Sequence, residues 1–120
     1  MRWTKFVIPF KDKVIAVDFD GTVVSDKFPS IGEPNIELIT WLKMCKENGC
    51  KLILWTCRTD VTIVDGTGAL ENAVNFCREE LDLEFDAVNQ NLPEVQEKWK
   101  NDTRKVLADY YLDDKCLSYE

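Results

Sequence analysis

Two stretches of this chain, Lys13 to Phe19 (KVIAVDF) and Cys50 to Thr56 (CKLILWT), are apolar and β-branched without a polar residue at alternate positions. A strand that is apolar on both faces must be covered on both, which is the habit of parallel sheets sandwiched between other layers. Between these stretches, Pro34 to Asn48 carries Leu38, Trp41, Leu42 and Cys45 on one helical stripe, with Gly49 as its stop. Leu70, Ala73, Val74, Cys77 and Leu81 then recur at helical spacing and predict a second amphipathic helix. Phe85 to Asn89 reads as a short third strand, residues 94–103 as a short charged helix, and Ala108 to Leu112 as a fourth strand. Strands alternating with helices predict an α/β fold, a three-layer Rossmann-like parallel sheet with helices on both faces. At 120 residues the chain makes one domain, 1–120, because two cores would leave each half marginal.

Composition removes whole classes of chemistry. There is no histidine, so Ser-His-Asp and Cys-His catalysis, His-ligated zinc and phosphohistidine relays are excluded. A net charge of −7 disfavours a general nucleic-acid coat, which needs clustered Lys and Arg. The five cysteines are odd in number, form no Cys-x-x-Cys and match no zinc ribbon, which fits core thiols in a reducing cytoplasm. The first thirteen residues, MRWTKFVIPFKDK, hold no signal-type apolar block, and no window has the ~18 apolar residues of a membrane span, so a cytoplasmic protein without a membrane partner is expected.

In open parallel sheets ligands sit beyond the carboxyl ends of the strands, and here those ends carry acids and hydroxyls. Asp18 and Asp20 stand two residues apart at the end of the first strand, a spacing that puts both on one face of extended backbone. Gly21 after them permits a tight turn with exposed N–H groups. Asp113 and Asp114 follow the last strand; adjacent acids repel one another and lose hydration, a combination that persists mainly around a cation. With Asp18 they offer hard oxygen ligands suited to Mg²⁺. Thr56 ends the second strand, where its hydroxyl and neighbouring N–H groups could hold a phosphoryl oxygen, with Arg58 adding a planar fork. Lys105 lies eight residues before Asp113 and could fold over the site as a point charge. Each feature has a plain alternative: an Asp-Gly turn, a solvated acidic loop, a β-forming threonine, a surface lysine.

Taken in order, Asp18-Phe-Asp20-Gly-Thr, Thr56, Lys105 and Asp113-Asp114 resemble the four motifs of the haloacid dehalogenase-like (HAD) phosphohydrolases, spanning residues 14–115. ILWTCR and KVLADYYLDDK look like the small capless members of that superfamily. The resemblance implies a Mg²⁺-dependent phosphatase in which Asp18 attacks phosphorus to form an aspartyl phosphate and Asp20 serves as acid and then base. It further implies that Asp18, the backbone carbonyl of Asp20, and Asp113 or Asp114 hold Mg²⁺, while Thr56 and Lys105 grip the phosphoryl oxygens. Neither the stretch from Asp20 to Thr56 nor that from Thr56 to Lys105 leaves room for a cap domain. An open site follows, suited to a bulky phosphorylated substrate such as a nucleic-acid end, a protein or a glycan, or closed by a second copy of the chain. Two other readings stand beside it: a binding or scaffold protein that keeps the fold without useful turnover, and a receiver-type phosphoacceptor module, whose middle strand would end in an acid where this one ends in Thr56.

Three smaller expectations complete the reading. Asp65-Gly66-Thr67 repeats part of the first motif without its paired acid, since Ile63 stands where that acid would be, and reads as a helix-entry loop. Asn89 and Asn91 follow the third strand, where they could reach a substrate, with turn formation the favoured role. Residues 1–10 could cover a bare edge of the sheet.

Overall fold

In the computed structural model, which describes residues 11–117, four short strands form a parallel sheet flanked by unequal layers. The element order is β1 (Val14–Val17), α1 (Ile36–Glu47), β2 (Lys51–Leu54), β3 (Ile63–Val64), β4 (Thr67–Gly68), α2 (Ala69–Glu79), β5 (Ala87–Val88), α3 (Pro93–Trp99) and β6 (Tyr110–Leu112). The sheet runs β5-β2-β1-β6, every pair parallel. β1 pairs with β2 through Val14 opposite Lys51 to Val17 opposite Leu54, and with β6 through Ile15 opposite Tyr110 to Val17 opposite Leu112. The α/β architecture expected from the apolar runs is present. The edge cover expected of residues 1–10 lies outside the described residues.

Period-two alternation within each strand builds two cores from one sheet. Ile15, Val17, Leu52 and Leu54 face the larger core, where Leu38, Leu42 and Cys45 of α1 meet Ala73 and Cys77 of α2. Ala16 and Ile53 face the other way, against Ala87, Leu92 and Val106, with Val95 of α3, Trp55 and Tyr111 packed alongside. The second face is therefore covered by one seven-residue helix and irregular chain, a thinner layer than the first. Burial pushes the thiols of Cys45 and Cys77 up to about 12, the behaviour of core cysteines.

Helix ends explain where the elements stop. Asn35 caps α1, its Oδ1 accepting from the Leu38 N–H at 3.2 Å. α2 begins at Gly68, which has no side chain to offer, and the missing cap comes from Asp60, whose Oδ1 accepts from the Glu71 N–H at 2.8 Å. A Cβ on Gly68 would lie 2.2 Å from that same oxygen, so the bare glycine is what lets Asp60 in. The third helix is shorter than the expected 94–103 because Lys100 turns left-handed (φ 54°) and closes it.

Residues 65–68 correct the expected helix-entry loop. Ile63–Val64 and Thr67–Gly68 pair as an antiparallel hairpin, and Asp65 and Gly66 both adopt positive φ (51° and 82°), the signature of a two-residue type I′ turn.

Candidate active site

The chain leaves β1 toward β2 on one side and returns as β6 on the other, so the strand order reverses between β1 and β6. A crevice opens at such a switch point, beyond the strand ends. Asp18 leaves β1 on one side of it and Asp113 leaves β6 on the other, with the Asp18 N–H donating to the Leu112 carbonyl at 2.9 Å. One carboxylate oxygen each from Asp18, Asp113 and Asp114 lies within 4.8 Å of the others. A cleft of about 510 Å³ opens beside them, lined by Asp18, Asp20, Asp26, Phe28, Thr56, Cys57, Arg58, Asp113 and Lys115.

The backbone is shaped to bring these acids together. Gly21 sits at φ 86°, and a Cβ there would lie 2.2 Å from Asp114 Oδ2, so the first-strand turn and the Asp114 carboxylate touch across a missing side chain. Thr22, buried beneath, accepts from the Asp114 N–H at 3.1 Å through Oγ1. The Lys115 N–H donates to Asp113 Oδ1 at 2.9 Å, and Lys115 Nζ lies 3.2 Å from Asp114 Oδ2.

Burial, the largest influence, pushes the Asp18 carboxyl from its ordinary 3.8 to about 7. The Phe19 N–H bond works against this, and the charges of Asp113 and Asp114 add to it. Asp114 is held below the usual range by its hydrogen bonds and charge pairing with Lys115, which outweigh its partial burial. An all-oxygen set of three acids with one lysine counter-charge is chemically suited to a hard divalent cation.

Asp20 is not one of those three acids, although it lines the same cleft. Its carboxylate accepts two bonds from Arg58, Nε to Oδ2 and Nη2 to Oδ1, both at 2.8 Å. Arg58 is 1% exposed and spends every N–H it has: Nη1 donates to the carbonyls of Pro29 and Ala69, and Nη2 also to that of Ser30. The expected fork from Arg58 to a phosphoryl group is thus corrected, since no donor remains to make it. Thr56 does open onto the cleft. Its Oγ1 accepts from the Arg58 N–H at 3.1 Å, which leaves its own hydrogen to donate, and its N–H is fixed by Asn89 Oδ1 at 2.8 Å.

Lys105 is also elsewhere. It is exposed with its Nζ 5.4 Å from the Tyr111 ring, in a separate hollow lined by Trp99, Thr103, Val106, Leu107 and Tyr111. The lysine lining the cleft is Lys115, which sequence order alone did not single out although it directly follows the paired acids. Asp26 and Phe28 were missed too, because the irregular loop after Gly21 has no periodicity to read. Asn91 is buried and bonded to Asp102, Thr103 and Leu107, a strut of the thin layer.

These features define a parallel α/β domain with an acidic cleft at its switch point. No family model and no curated protein matches the chain. A solved structure does, that of a conserved protein coded by a locus of Bacteroides thetaiotaomicron, at 34% identity and a TM-score of 0.72, covering 89% of this chain and 79% of that one. The chain belongs to the same family as that conserved protein. Among the described residues, no helix is long and apolar enough to cross a membrane.

Proposed function

We propose that this chain is a Mg²⁺-dependent phosphatase of HAD-like fold that works through an aspartyl phosphate on Asp18. The observation that carries the reading is the convergence of Asp18 with Asp113 and Asp114 across the switch point. Asp18, Asp113 and Asp114, with the backbone carbonyl of Asp20, are the groups to hold the cation, which when bound supplies charge cancellation between an anionic nucleophile and an anionic substrate.

An Asp18 carboxylate oxygen attacks phosphorus as the bond from phosphorus to the leaving oxygen breaks. Asp20, two residues on and at the rim of the same cleft, supplies the proton that the leaving oxygen takes up. In the second half Asp20 takes a proton from water, the water oxygen attacks phosphorus, and the bond to Asp18 breaks to release phosphate. The free Thr56 hydroxyl hydrogen and the Lys115 ammonium are the donors available to the phosphoryl oxygens. The cleft is open, which suits a bulky phosphorylated substrate.

The test is release of phosphate from p-nitrophenyl phosphate and a panel of phosphomonoesters with Mg²⁺ and with chelator. Turnover that needs both Mg²⁺ and Asp18, with an acid-quenched phosphoenzyme, supports the reading. Turnover that survives Asp18→Asn refutes it.

A further inference from the structure

The mechanism above uses Asp20 but does not say what aims it. We propose that Arg58 is a positioning residue acting through Asp20, an inference that rests on the phosphatase reading. Four observations carry it. The guanidinium grips both Asp20 oxygens at 2.8 Å, so the carboxylate is fixed in position and rotation. Its remaining donors go to carbonyls of Pro29, Ser30 and Ala69, and the rings of Phe19 and Phe28 lie 4.9 and 5.2 Å from its Cζ, so the fork itself cannot turn. The Asp20 side chain is nonetheless 16% exposed, and a carboxylate has four acceptor directions, of which Arg58 occupies two. Finally, Arg58 is two residues after Thr56, and its N–H holds the Thr56 hydroxyl. The same residue therefore sets the distance between the proton-transfer group and a phosphoryl-gripping group.

A merely structural arginine and a positioning one differ in leaving-group dependence. p-Nitrophenolate departs without a proton, whereas an alkoxide needs one, so loss of Asp20 alignment harms alkyl phosphates selectively. Arg58→Gln, Arg58→Lys and Asp20→Asn are compared on p-nitrophenyl phosphate and glycerol phosphate. The expected result is that Arg58→Gln loses at least about tenfold more kcat/KM on the alkyl ester than on the aryl one. Asp20→Asn should show the same split, Arg58→Lys a smaller one, and the double variant Asp20→Asn/Arg58→Gln no further loss beyond Asp20→Asn.

Equal losses on both esters, or multiplicative losses in the double variant, overturn the role of Arg58 while leaving the phosphatase reading intact. A wild type without Asp18-dependent turnover overturns both. Should the Arg58 variants not fold, NMR of the wild-type guanidinium decides: separate, slowly exchanging Nη protons that average in Asp20→Asn support the clamp, and free averaging in the wild type overturns it.

Discussion

Replacing Gly21 with alanine separates backbone strain from damage to the acidic cluster. At φ 86° an L-residue pays about 1–2 kcal/mol that glycine does not. For 120 residues the unfolding entropy is about 0.25 kcal/mol/K, so strain alone lowers Tm by about 4–8 °C. The new Cβ also meets Asp114 Oδ2 at 2.2 Å and Cγ at 2.6 Å, where ordinary contact begins near 3.4 Å, so the carboxylate must retreat by about 1 Å. Mg²⁺ demands near-ideal octahedral placement, and such a shift should weaken its binding by about 10–100-fold. The control is Gly66→Ala, where φ is 82° but nothing lies within 4 Å of the added carbon. Both variants should show the strain in thermal melts, and only Gly21→Ala should lose the Mg²⁺-induced rise in Tm. Mg²⁺ binding by Gly21→Ala as tight as wild type would refute the claim that Asp114 depends on the bare turn.

Asp18 gives a pH dependence with a definite sign. Its folded carboxyl titrates at about 7 against an ordinary 3.8, so between those values the folded state binds more protons than the unfolded. Stability without metal should fall as pH rises through that window and level off above it, and Asp18→Asn should flatten the profile in denaturant titrations. Because a cation must displace that proton, Mg²⁺ stabilisation should grow over the same range. Lys115→Ala should raise KM for phosphomonoesters by about tenfold and Lys105→Ala by much less, since Lys115 lines the cleft and Lys105 rests on Tyr111; steady-state kinetics that reverse the order would refute this.

The α/β alternation was legible because apolar runs such as KLILW and the stripe through Leu38, Trp41 and Leu42 record burial directly in sequence. The acids at 18, 113 and 114 were legible for a related reason: a carboxylate at the end of a doubly buried strand is costly without a purpose. Arg58 was not, because the four residues its side chain bonds lie 11 to 38 positions away and nothing local marks an arginine as buried. Lys105 misled because motif order fixes succession along the chain, not the face of the sheet along which the chain returns. The hairpin at Ile63–Gly68 escaped because two-residue strands are too short for a period-two pattern to register.

The segment from Thr56 to Asp60 is moored at every second residue: Thr56 to Asn89, Arg58 to four other residues, Asp60 to the start of α2. A wall built this way has no slack to give to an arriving molecule. Whatever enters must already match it. For the phosphatase proposed above, such a wall would keep reorganisation during reaction small and surrender breadth of acceptable shapes in exchange.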